Sequence, residues 1–147
     1  MKVSDEPIII EQRFNTSIQE VWNALTRLEE MKKWYFKNLD SFNPEIGFQT
    51  EFEVQAEDRK FTHIWKITDV IPLKRIKYNW RYNEYPGDSY VTFELTEEKK
   101  QVKLRVQTEI VQDFPSQIPQ FERDSCLKGW KYLIEKNLKE YLEINPG

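Results

Sequence analysis

From Ser116 to Glu143 the chain carries a stripe that leaves few folds open. At 100° per residue, Cys126, Leu127, Trp130, Leu133, Ile134, Leu138 and Tyr141 share one side of a helix, with Lys128, Glu135, Lys136, Lys139 and Glu143 opposite. A helix with one apolar face has to bury it against another element. Pro115 and Pro119 mark its approach, and Asn145-Pro146-Gly147 is read as its stop. About 26 residues would span roughly 39 Å, more than the roughly 33 Å of a strand of about ten residues. One helix can therefore lie along a whole sheet.

The rest of the chain supplies that sheet. Ile8, Ile10 and Phe14 alternate with Glu11 and Arg13, giving an edge strand over Pro7–Phe14. Ser17-Ile18-Gln19-Glu20 has the form of a capping box, and the helix it opens carries Val21, Trp22, Leu25 and Leu28, continuing or breaking into a second short helix through Met31 and Lys33. From Phe48 the period becomes two, through Phe48–Gln55, Phe61–Val70, Ile76–Tyr82, Val91–Leu95 and Val102–Gln107, with short turns between. Such a succession predicts an antiparallel meander with one dry and one wet face. The order is one strand, one or two short helices, about six antiparallel strands and a long helix. That is an α+β chain in which only the closing helix can cover the sheet.

Composition narrows the function classes. The chain has 147 residues, taken as one domain, 1–147, and a formal charge of −3, which argues against a nucleic-acid surface. It shows no apolar run of membrane-spanning length and no signal-peptide pattern at its start, so the expected location is cytoplasmic. A single cysteine, Cys126, excludes an intramolecular disulfide and a cysteine-based metal cluster. Aromatic residues make up 14%, with five Trp, enough to line a pocket.

The capped Val21-Trp22, then Trp34, then Gly47-Phe48 opening the sheet, then Val70-Ile71-Pro72-Leu73-Lys74-Arg75-Ile76-Lys77-Tyr78-Asn79-Trp80, and finally Gly129-Trp130 with Leu133 and Leu138, stand in a characteristic order. Together, over Ile8–Leu142, they resemble the AHSA1-like branch of the START/Bet v 1-like (SRPBCC) superfamily, homologous to the C-terminal domain of the Hsp90 ATPase activator Aha1. The resemblance implies a helix-grip fold: a sheet of six to seven strands wrapped around the long C-terminal helix, with a cavity between them. It also raises a chaperone partner as an alternative to a small ligand. A polyketide cyclase or aromatase uses the same fold. The chain departs from the family in its continuous Thr62-His63-Ile64-Trp65-Lys66, where members often have Gly, and in Ile18, where members often have Pro. Trp65 is thereby expected to fill space left open elsewhere.

The candidate cavity-lining residues are Trp34, Phe52, His63, Trp65, Tyr78, Trp80, Tyr82, Phe93, Trp130 and Asn137. The expected occupant is a hydrophobic or aromatic small molecule, with no cofactor, metal or catalytic residue assigned. His63 shares the inward face with Phe61, Trp65 and Ile67, and a slip of one residue would turn it to solvent. It has no orienting carboxylate nearby in sequence, so a structural role outweighs a catalytic one. Arg123 and Asn137 fall on the apolar stripe and need partners; Arg123 is near enough to the helix start to be exposed, which leaves Asn137 the sharper candidate. Gly129, costly inside a helix, is read as a point of close approach beside Trp130. Cys126 is read as a small buried hydrophobe.

Overall fold

A computed structural model describes residues 1–144; the expected helix stop at Asn145-Pro146-Gly147 lies outside the described residues. Six strands form one antiparallel sheet: β1 (Ile8–Phe14), β2 (Gln49–Ala56), β3 (Arg59–Ile71), β4 (Arg75–Tyr82), β5 (Asp88–Glu98) and β6 (Gln101–Gln112). The spatial order is β1-β6-β5-β4-β3-β2. The meander runs from β2 to β6, and β1 closes the far edge by pairing with β6, Ile8 opposite Thr108 and Phe14 opposite Val102. Alternation sets the dry face: Phe61, His63, Trp65 and Ile67 of β3, with Ile76, Tyr78 and Trp80 of β4, are all buried.

Two short helices, α1 (Ile18–Thr26) and α2 (Leu28–Trp34), connect β1 to β2. Ser17 caps α1, its Oγ accepting from Glu20 N at 3.1 Å. The capping box is only half formed, because the Glu20 carboxylate accepts instead from the Thr16 hydroxyl.

The closing helix departs from expectation in two ways. It starts at Arg123, not Ser116. The preceding stretch instead makes a 3-10 turn, Pro119–Phe121, that drops Ile118 and Phe121 into a second apolar cluster with Phe61 and Phe114. Gly87 makes room for this cluster: it has φ +122°, and a Cβ there would overlap the Phe114 ring. The helix is also not uniform. It runs α-helical over α3 (Arg123–Lys131), π-helical over Tyr132–Leu138 and α-helical again over α4 (Lys139–Ile144). At about 1.5 Å per residue, the stretch 123–144 reaches roughly 33 Å, while the 13 residues of β3 reach about 43 Å. The helix therefore leaves one end of the sheet to the second cluster.

Candidate functional site

The groove between sheet and helix is filled at one end by an aromatic stack. Tyr35, just past α2, lies parallel to Trp34 at 4.6 Å and 3°, and stacks on Trp65 at 5.2 Å. Trp65 meets Tyr78 at 4.8 Å, and the Tyr35 and Tyr78 hydroxyls share a hydrogen bond of 2.7 Å. Trp34 Nε1 donates to Ala24 O at 2.7 Å, which ties the stack to α1. Burial raises the pKa of both phenols above the usual tyrosine value, so both stay protonated and neutral.

Toward the second cluster the groove opens into a cavity of about 390 Å³. Its floor is the end of the sheet: Val54 and Ala56 of β2, Phe61 and His63 of β3, Trp80 and Tyr82 of β4. Cys126, Gly129, Trp130, Tyr132 and Leu133 of the closing helix form one wall; Phe36, Gln120, Phe121 and Met1 complete it. A smaller chamber of about 50 Å³ adjoins it, sharing Trp80, Tyr82, Cys126 and Trp130 and adding Ser89, Val91, Thr108 and Phe114. Met1 reaches both chambers because its segment is strapped down: its carbonyl accepts from Phe114 N at 2.9 Å, its nitrogen donates to Phe121 O at 2.7 Å, and Val3 N donates to Asp113 at 2.7 Å.

The polar inventory of this space is short. Among the described residues, no Asp, Glu, Lys or Arg side chain lines either chamber. His63 is 5% exposed, stacked on Phe52 at 4.7 Å with Tyr82 edge-on at 4.8 Å. Its Nδ1 donates to Phe61 O at 3.1 Å, leaving Nε2 as an acceptor. Burial depresses its pKa to about 4, against smaller opposing effects of the Phe61 carbonyl and Glu84, so the ring is neutral at pH 7. Burial likewise pushes the Cys126 thiol up to about 11, where it is a poor nucleophile. Three buried polar atoms bordering the chambers have no hydrogen-bond partner within the protein: Trp80 Nε1, Thr108 Oγ1 and Gln120 Oε1. Ser89 is satisfied, its Oγ donating to Trp80 O at 2.7 Å.

Of the ten side chains singled out in the sequence, His63, Trp80, Tyr82 and Trp130 come together around the cavity. Trp34, Trp65, Tyr78 and Phe93 are buried in the filled end, and Phe52 packs behind His63 and Trp65. Asn137 is not on the cavity: its Nδ2 donates to Trp34 O at 3.2 Å, fastening the closing helix to α2. The π-helical segment is the reason. Its i→i+5 bonding turns less per residue than the α-helical projection assumes, which moves Asn137 off the centre of the stripe. Arg123 is exposed and bonds to the carbonyls of Glu6 and Pro7. Nothing approaches Gly129, since a Cβ built there meets no atom within 4 Å. Rather than a close contact, it is a gap in the cavity wall. Sequence reasoning missed Thr108, the next inward position after Val102, Leu104 and Val106, and missed Met1 and Gly129 as lining.

The sequence profile of the Activator of Hsp90 ATPase homolog 1-like protein family matches residues 15–143. The chain belongs to that family. No curated protein matches it. Among solved structures, protein CV1439 from Chromobacterium violaceum is similar with a TM-score of 0.77 and 19% identity, covering 93% of this chain and 96% of that one. Protein MLL2253 from Mesorhizobium loti aligns with a TM-score of 0.74 and 23% identity, over 97% and 100% of the two chains. The Aha1 dimer from Colwellia psychrerythraea aligns with a TM-score of 0.72 and 20% identity, also over 97% and 100%. These likenesses establish the helix-grip fold of this AHSA1-like chain. Among the described residues, no helix is long and apolar enough to cross a membrane, and no group of three or more His, Cys, Asp or Glu could hold a metal ion.

Proposed function

We propose that this AHSA1-like domain binds an apolar or aromatic small molecule in the cavity between the sheet and the first turns of the closing helix. The supporting observation is that cavity: about 390 Å³ bounded largely by rings, in a groove whose other end is packed solid. Domain interiors hold few voids larger than a water molecule, and small-molecule sites typically fall between about 300 and 1,000 Å³ with few polar groups. We read the role as binding rather than catalysis, because burial leaves His63 a weak base with its Nδ1 held by Phe61 O, and the nearby Glu84 carboxylate is bonded to Thr62 instead.

The test is a titration with N-phenyl-1-naphthylamine, a neutral dye whose emission rises in apolar surroundings. The expected result is a saturable rise at one dye per chain. Gly129→Leu places a side chain in the gap of the wall and should weaken binding by at least about tenfold without lowering the melting temperature. No saturable rise, or a rise untouched by the substitution, contradicts the reading.

A second reading, a co-chaperone acting on an Hsp90-type ATPase, is favoured by the family match over 15–143. It is tested by the ATPase rate of such a chaperone with and without this protein. An unchanged rate at saturating protein removes it.

A further inference from the structure

The cavity restricts the charge and polarity of what it can hold. Seven of its lining residues are Phe, Tyr or Trp: Phe36, Phe61, Trp80, Tyr82, Phe121, Trp130 and Tyr132. Aromatic rings gain from offset or edge-to-face contact beyond the area they bury, so a flat aromatic body suits this lining better than a flexible chain. Among the described residues, no charged side chain of either sign lines the main or the small chamber. The amino group of Met1 that reaches the wall is directed at Phe121 O. An ammonium entering here would lose its hydration and meet no opposite charge, and a carboxylate would meet only the Met1 ammonium, which already donates to Phe121 O.

A wholly apolar ligand is also a poor match, because two residues lining the small chamber each carry a buried polar atom without a well-formed hydrogen bond. Thr108 sits at the inward position of β6 opposite Ile8 and Val91, 5% exposed, with its hydroxyl unpartnered. Trp80 Nε1, on the neighbouring chamber wall, makes no well-formed hydrogen bond and is directed toward the Tyr82 hydroxyl, whose pKa it lowers against the larger effect of burial. Buried polar groups left unpaired cost stability. A chamber of about 50 Å³ has room for one small functional group rather than a ring.

We infer that the ligand is an uncharged, bicyclic-sized aromatic molecule whose carbonyl or hydroxyl group enters the small chamber and hydrogen-bonds to Thr108 and Trp80. This rests on the cavity being a ligand site, and the experiment separates the two claims. Three probes of nearly one shape compete with N-phenyl-1-naphthylamine at pH 7: 2-acetylnaphthalene, 2-ethylnaphthalene and 2-naphthoate. The acetyl compound should bind about three- to tenfold more tightly than the ethyl compound, the worth of one net hydrogen bond. The naphthoate should bind at least about tenfold more weakly than the acetyl compound. Thr108→Val should abolish the acetyl preference while leaving the ethyl affinity in place, and Thr108→Ser, which restores a hydroxyl, should recover it. Equal binding of the acetyl and ethyl compounds, or naphthoate binding as tightly as either, overturns the inference while leaving the cavity a ligand site. Absence of dye binding overturns the site, and the inference with it.

Discussion

The two ends of the groove beneath the closing helix are built from the same kinds of residue, yet one is solid and the other is hollow. At the filled end, α2 and the residue after it deliver Trp34 and Tyr35 against Trp65, Tyr78 and Phe93; the polar atoms of Trp34, Tyr35 and Tyr78 are bonded, while Trp65 Nε1 is buried without a partner. At the open end, Phe61, Tyr82, Phe121 and Trp130 stand around space, and Trp80, Thr108 and Gln120 each keep a buried polar atom unpartnered. What differs is the covering element. The filled end has a short helix pressed between sheet and closing helix. The open end has a 3-10 turn whose rings belong to a separate cluster, and a helical wall interrupted at Gly129. Aromatic content alone therefore does not distinguish a core from a pocket; the third layer does.

The contrast can be broken at either end. The largest effect is expected from Trp34→Ala, which removes a fully packed ring and the bond to Ala24. It should cost about 4 kcal/mol in urea unfolding with an unchanged slope, whereas Leu133→Ala should cost about 1–2 kcal/mol because that side chain is only half-buried, bordering the cavity. A small loss at Trp34 would mean the filled end is not packed as described.

Next in size is the pH dependence contributed by His63. Unfolded, its imidazole takes up a proton near pH 6.5, but folded it does so only near 4. Between those values the unfolded state binds more protons, so stability is retained above pH 6.5 and falls as the pH drops toward 4. The loss is about 3 kcal/mol across the window. His63→Asn should flatten that part of the stability profile in pH-dependent unfolding. An unaltered profile would place the histidine in contact with water.

Smaller effects sharpen the open end. Thr108→Val deletes a buried hydroxyl without a protein partner and should stabilise the apo protein by about 1 kcal/mol. The filled-end counterpart Tyr78→Phe, which strands the Tyr35 hydroxyl, should destabilise by about 1–3 kcal/mol. Thermal unfolding of the pair reads the contrast as opposite signs. Gly129→Ala should add no more than about 1 kcal/mol through helix propensity alone, since its Cβ meets nothing within 4 Å. A loss there would mean that a neighbour approaches after all.

Much of this was legible in the sequence. Period-two alternation from Phe48 to Val106 and the terminal stripe specified the sheet, its dry face and its cover, and the family resemblance named the arrangement. Alternation tells which face a residue occupies but not how far along the groove it lies. That is why Trp65 and Tyr78, inward as expected, belong to the filled end while Trp80 and Tyr82 border the cavity. Asn137 was misplaced because an α-helical projection cannot foresee the π-helical turns of Tyr132–Leu138. Thr108 went unnoticed because a hydroxyl ends an apolar alternation in sequence even when the strand continues, here to Gln112. Met1 lines the site through contacts with Phe114 and Phe121 that are more than a hundred residues away, and no local pattern encodes them.

The five tryptophans allow the central claim, a hollow end beside a solid one, to be tested in a single spectrum. In a ¹⁵N-labelled sample titrated with 2-acetylnaphthalene, the indole N–H resonances of Trp80 and Trp130 should shift saturably, while those of Trp22 and Trp34 stay in place. Indole resonances that are all unmoved at the solubility limit of the probe, or a Trp34 shift as large as that of Trp80, would contradict it.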